Sequence, residues 1–213
     1  MMDGVTTTTN YEYSPDHLNT ISQTMTNSDG KIHRTDYQYA HEKIGDSRHI
    51  RAQEMVDMNM TSIPLETRKY VNGALQGGNI TSYNLYYNNN EGLILPIKQY
   101  QILHNQPDDP LLRGTISYYT STGGDGVLGL PSSYQRNFYP APQTFTYFSE
   151  GEKEGLLKSQ TYQARTTSYD YYTDHRYRQV KITTGIDDIS TLYDYDACQR
   201  LTLSAARNGQ LIN

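Results

Sequence analysis

Along most of the chain apolar and polar positions alternate with a period of two. Val5, Thr7, Thr9, Tyr11 and Tyr13 fall on one side of a first strand, because successive side chains of a strand point to opposite faces. Ser14-Pro15-Asp16 interrupts it, Leu18 to Thr26 follows, and Asn27-Ser28-Asp29-Gly30 is a turn signal into a return strand from Lys31 to His41. A three-stranded meander is predicted over residues 5–41. The texture then changes. From Ser47 to Met60 the β-branched residues thin out, and Ala52, Met55, Val56 and Asn59 recur at helical spacing behind a cap at Asp46 or Ser47, which predicts one short helix over 47–60.

Strands resume at Ile63 to Asn72, with turns expected at Asn72-Gly73 and at Gly77-Gly78, and continue from Ile80 to Tyr87. Asn88 to Gly92 reads as a loop. Leu93 to His104 is the most apolar strand, and Pro96 within it requires a sheet edge or a bulge. Residues 105–144 are the least regular: five prolines and the Gly123, Gly124, Gly126, Gly129 group leave one strand, Thr115 to Thr120. A further strand is expected at Thr144 to Ser149, then a long hairpin pairing Leu156–Thr173 with Arg176–Thr184. The pattern as a whole predicts an all-β, mainly antiparallel fold in a single β-rich segment over 1–213.

The last alternating run is Tyr193-Asp194-Tyr195-Asp196-Ala197-Cys198-Gln199-Arg200-Leu201-Thr202-Leu203. Tyr193 and Tyr195 are expected on one face and Asp194 and Asp196 on the other. The Asp196 carboxylate suits the start of a turn because it accepts hydrogen bonds from backbone N–H groups two residues on. Asn208-Gly209 supplies the next reversal. This run resembles the Rhs or YD repeat, whose pattern is Tyr-x-Tyr-Asp-x-x-Gly-Arg-Leu, with Gln199 standing where the family has Gly. A left-handed backbone there costs Gln about 1 kcal/mol that Gly avoids.

Two degenerate copies accompany it: Tyr11, Glu12, Tyr13 and Ser14 running to Leu18, and Tyr169, Asp170, Tyr171 and Tyr172 running through Arg176 to Val180. Tyr169 and Tyr193 are 24 residues apart, and Tyr11 and Tyr37 are 26 apart, lags that a repeated hairpin unit produces. The resemblance is best over 161–213 and weaker over 5–41. What it implies is a non-catalytic wall segment of a secreted or cell-surface protein. Such a wall winds into a shell that encloses or presents an effector. Its partners would be the rest of a longer chain, neighbouring repeat segments and an enclosed effector polypeptide. The Asp-Pro-x-Gly core of that family is not matched, since Asp109-Pro110-Leu111-Leu112 only echoes it, so no self-cleavage or toxic activity is implied.

Composition changes the picture in one respect. A mean hydropathy of −0.77 would suit a disordered chain, but the net charge is only −5 and the chain carries 21 Tyr against 3 Phe and no Trp. Tyr buries an apolar ring while leaving its hydroxyl within reach of water or a polar partner. Such residues suit a sheet wall. They also suit stacking on sugars, so a carbohydrate-binding module using Tyr-rich strand faces is the alternative reading. An acidic pI near 5.6 with no basic stripe argues against a nucleic-acid partner. No apolar run is long enough to span a bilayer as a helix, and the start of the sequence has no signal-peptide pattern.

Candidate chemistry is sparse. Met55, Met58 and Met60 are better read as core filling than as copper ligands. The six histidines show no paired metal spacing, so no cofactor and no metal are expected. Asp108-Asp109 and Asp187-Asp188 read as turn acids. Cys198 lies inside the repeat turn, where a structural role outweighs nucleophilic catalysis. No enzyme activity is expected.

Overall fold

The computed structural model describes residues 7–88, 91–119, 129–149, 151–174, 179–185, 189–196 and 198–208. Fourteen strands, all paired antiparallel in the registers described, follow one another in the sheet in the same order as in the chain. Among the described residues the chain forms the expected all-β fold with one short α-helix. The chain divides into two compact units, residues 1–115 and 116–213.

In the first unit β1 (Thr8–Tyr13), β2 (Thr20–Thr26) and β3 (Ile32–Gln38) form the expected meander. A 3-10 helix, His41–Lys43, leads to α1 (Ala52–Asp57). The helix lies inside the range its periodicity predicts but starts later, and neither Asp46 nor Ser47 caps it. Its N-cap position is Arg51, with no side-chain cap, while the Asp46 carboxylate accepts the Arg48 N–H instead. The helix ends in a Schellman motif: the Asn59 N–H reaches the Val56 carbonyl, the Met60 N–H reaches that of Met55, and Asn59 sits at φ 57°. Met55, Ala52, Ala40, Leu65 and Ile94 make the buried core, and Val56, Met60, Ile63, Tyr83 and Leu85 pack on it.

The sheet of this unit continues through β4 (Glu66–Val71), β5 (Ala74–Asn88) and β6 (Glu91–Leu103) into β7 (Gln106–Tyr118). Asn72 and Gly73 both have positive φ and join β4 to β5 as a two-residue turn. Gly77 and Gly78 do not turn; they lie within β5. The ladder shifts register between Lys69 and Tyr70, and a Cβ on Gly78 would stand 2.1 Å from the Thr67 carbonyl oxygen. The glycines serve close backbone approach at a bulge. Pro96 is likewise accommodated by a register shift, between Ser82 and Tyr83. Asp108 and Asp109 are not turn residues but belong to β7, where residues 107–110 fall at the register break between Gln101 and Leu103. That break is what lets Pro107 and Pro110 enter a strand without losing ladder bonds.

The second unit contains β8 (Pro131–Arg136), β9 (Gln143–Tyr147), β10 (Leu157–Tyr162), β11 (Arg165–Tyr171), β12 (Val180–Thr184), β13 (Ile189–Tyr195) and β14 (Leu201–Asn208). The long strand expected from Leu156 to Thr173 is two strands. Gln163 and Ala164, at φ 50° and 62°, form a two-residue turn between β10 and β11. Neither residue favours positive φ, which is why the sequence gives no warning of it. The Gly123-Gly124-Asp125-Gly126 loop, Asp187-Asp188 and Gly209 lie outside the described residues.

One expectation is overturned. Among the described residues β1 pairs only with β2 and β14 only with β13, so the strand order ends at both ends and the sheet is open. The described strands thus do not close on themselves, against the expectation of a shell that encloses an effector.

Candidate functional site

The residues of the repeat pattern build a closed turn. The Asp196 N–H donates to the Arg200 carbonyl at 3.0 Å, and the Gln199 N–H returns to the Asp196 carbonyl at 2.9 Å. Asp196 Oδ1 accepts the N–H groups of Cys198 and Arg200, each at 2.9 Å, while its Oδ2 takes Arg200 Nε at 2.8 Å and the guanidinium at 2.7 Å. These bonds to the Arg200 backbone and side chain hold the Asp196 carboxyl below the usual carboxylate range. Gln199 takes φ 61°, the left-handed conformation for which the family pattern supplies Gly. Cys198 is exposed on this turn. Leu201, which opens β14, is also exposed.

The same closure recurs. In the β2–β3 turn the Asn27 N–H donates to the Lys31 carbonyl and the Gly30 N–H to that of Asn27, with Gly30 at φ 77°. After β1, Ser14 pairs with Asn19 and Leu18 with Ser14, with Leu18 at φ 59°. After β9, Phe148 pairs with Leu156 and Gly155 with Phe148, with Gly155 at φ 77°. These four hairpins thus re-enter their return strands through one left-handed residue, which is a physical reason for a Gly there.

The tyrosines form a second periodic system. Tyr171 donates its hydroxyl to the Leu157 carbonyl at 2.9 Å, Tyr172 to Tyr193 at 3.1 Å, Tyr147 to Pro131 at 3.1 Å, Tyr119 to Phe145 at 2.7 Å and Tyr39 to Thr20 at 2.7 Å. Edge-to-face ring pairs join Phe148 to Tyr171 and Tyr172 to Tyr195, each 23 residues apart in the chain. Burial pushes the hydroxyls of Tyr169, Tyr171 and Tyr195 above their ordinary value, with help from neighbouring tyrosines. Tyr193 stands 3.4 Å from the Thr183 hydroxyl. A register shift falls between Asp194 and Tyr195. Asp170 pairs with Lys153; burial opposes its charge, but that ammonium and the Tyr171 N–H outweigh it and keep the carboxyl low.

Tyr11 and Tyr13, by contrast, are exposed on β1. Tyr134, Arg136, Gln143 and Tyr162 line a small cavity of about 140 Å³ in the second unit, with the Tyr162 hydroxyl buried and without a hydrogen-bond partner.

Periodicity did not reveal the buried charges of the first unit. Lys43 Nζ lies 2.6 Å from Glu66, whose other oxygen accepts Arg68 Nε at 2.6 Å. Burial disfavours the Glu66 charge, yet the two cations prevail and hold its carboxyl low. His49 is 3% exposed with both ring nitrogens unpartnered, and burial lowers its proton affinity. No group of three or more His, Cys, Asp or Glu among the described residues is arranged to hold a metal ion. No helix among them is long and apolar enough to cross a membrane.

No family model matches this sequence. No curated protein matches it. The chain is similar to the crystal structure of TcdB2-TccC3-TEV, at 14% identity and a TM-score of 0.44, and to that of TcdB2-TccC3-Cdc42, at 13% and 0.35. In both cases 94% of this chain is covered, and it spans 14% of the other chain's length.

Proposed function

We propose that the chain is a non-enzymatic hairpin-repeat scaffold of the YD type, an open sheet at the cell surface or outside the cell that offers its edge and faces to protein partners. The observation that carries this reading is the use of the Tyr hydroxyls. Five of them are donated to carbonyls elsewhere in the sheet, and a hydroxyl so bonded has given its one proton to the wall and holds its ring in place there. The recurring left-handed turn residue supports the repeat, since it explains the family's Gly in physical terms.

Titration with soluble polysaccharides tests the reading against its alternative. No saturable change in Tyr fluorescence is expected. A saturable response, abolished by Tyr134→Ala or Tyr162→Ala in a folded protein, would replace the scaffold by a carbohydrate-binding module.

A further inference from the structure

The cavity of about 140 Å³ in the second unit is lined by Tyr134, Arg136, Gln143 and Tyr162. Three of these stand in a row across neighbouring strands. Tyr134 pairs with Gln143 between β8 and β9, and Thr144 pairs with Thr161 between β9 and β10, which sets Tyr162 beside Gln143. Arg136 follows Tyr134 by two residues and so shares its face. Its guanidinium lies 5.9 Å from the Tyr134 ring centre and 5.8 Å from that of Tyr139, whose ring in turn packs on Tyr162 at 6.3 Å. The β8–β9 connection holds these rings together. The Tyr139 N–H donates to the Arg136 carbonyl at 3.3 Å, the Gln135 side chain donates to the carbonyls of Arg136 and Tyr139 at 2.8 Å each, and Phe138 takes φ 69°. That backbone is unfavourable for an aromatic residue, and strain of this kind collects at binding sites.

The lining is rich in donors and holds no anion. The Tyr162 hydroxyl is buried without a hydrogen-bond partner. Gln143 gives one amide hydrogen to Gln160 at 3.1 Å and has a second. Arg136 meets the two rings and no carboxylate among the described residues, whereas Arg34, Arg51, Arg68 and Arg200 each take one. A buried donor left unmade is costly. A carboxylate answers all three groups at once, because its two oxygens accept several hydrogen bonds and its charge matches the guanidinium. The size agrees, since a cavity of about 150 Å³ admits a benzene ring and this one therefore takes an acid of about four carbons at most. A cation is disfavoured, because Arg136 already lies against the rings of Tyr134 and Tyr139.

We infer that this cavity binds a small carboxylate, either a free acid or the end of a glutamate side chain on a partner, with Arg136 carrying the charge, Tyr162 donating its hydroxyl and Gln143 its second amide hydrogen. The inference goes beyond the scaffold reading and does not depend on it, because Tyr162 is not one of the five tyrosines donated to carbonyls. Glycans test the scaffold and small acids test the cavity, so each can fail alone.

The probes are propionate, its uncharged isostere propionamide, tetramethylammonium, and glutamate capped as its N-acetyl N-methylamide, each added to the full chain at constant ionic strength. Nuclear magnetic resonance follows the Arg136 Nε–H and the Gln143 side-chain amide. Propionate or the capped glutamate is expected to shift both signals saturably and to bind about fivefold or more tighter than propionamide. The tighter of the two acids identifies the source of the carboxylate. Arg136→Gln should remove the preference for the acid. Tyr162→Phe keeps the ring and deletes the unpartnered hydroxyl, so it should weaken binding about three- to tenfold without lowering the melting temperature of the free chain. No saturable response to either acid, equal binding of propionamide, or binding of tetramethylammonium in their place would each overturn the inference. So would an unchanged preference in Arg136→Gln, undiminished binding by Tyr162→Phe, or a fall in the melting temperature of that variant, which would give the hydroxyl a partner in the free chain.

Discussion

The two units stabilise the same kind of sheet by different means. The first covers its strands with a short helix and buries Met55, Leu65, Ile80 and Ile102 to below 2% exposure, together with an ion-paired Glu66. In the second, no hydrophobic side chain among those described is fully buried, and Tyr171, at 8% exposure, is the most enclosed. That unit is held by ladder bonds, by tyrosines whose hydroxyls bridge strands, and by edge-to-face ring pairs. The difference teaches why this chain needs so many tyrosines: where no α-helix among the described residues covers a sheet face, a residue with a ring to bury and a hydroxyl to spend is a workable wall residue.

The largest effect expected from this contrast is in the first unit. Met55→Ala removes a fully buried side chain beneath the helix and should cost about 3 kcal/mol in urea denaturation. A loss below that of Tyr171→Phe would dissolve the distinction between the two units.

Acid should act on the same unit. His49 and Glu66 both hold protons less tightly in the fold than their ordinary values of 6.5 and 4.5. A depressed folded value means that the unfolded chain takes up the proton first, so the stabilisation is complete above the ordinary value and lost as pH falls. Weakening is therefore expected to begin below about pH 6.5 through His49 and to steepen below about pH 4.5 through Glu66. Denaturation midpoints across pH 3 to 8 check this, and His49→Phe should flatten the first part while leaving the second.

How far the sequence carries depends on the range of the interaction. The Asp196 turn, Asn72-Gly73, the meander and the 47–60 helix were legible because each is fixed by residues a few positions apart. Gln163-Ala164 was not, since the β10–β11 register forces a turn on two residues with no preference for it. Gly77-Gly78 and Asp108-Asp109 misled because a glycine pair and a proline-flanked acid pair are turn signals locally. Register breaks supplied by neighbouring strands made them strand residues. The Lys43–Glu66 pair joins residues 23 positions apart and has no local signal. Closure was misread for the same reason: a repeat specifies its neighbour pairing, and the number and order of strands decides whether the ends meet.

A smaller effect tests the turn at Gln199. Gln199→Gly should raise stability by a few tenths to about 1 kcal/mol, because the φ of 61° suits Gly without strain. Gln199→Val should lower it. Thermal melts of both variants check this, and a loss on Gln199→Gly would mean that the left-handed backbone at this position is not what limits the turn.

Hydrogen exchange of the second unit in a Tyr147→Phe, Tyr171→Phe double variant tests most directly whether tyrosine hydroxyls hold the uncovered sheet. Phe keeps each ring and removes only the bond to Pro131 or Leu157, worth about 1 kcal/mol apiece. The account predicts a fall in amide protection of roughly five- to tenfold per bond across Leu157–Tyr162 and Arg165–Tyr171, with the first unit unchanged. Protection equal to that of the unaltered chain would contradict it, leaving the tyrosines as ring packing alone.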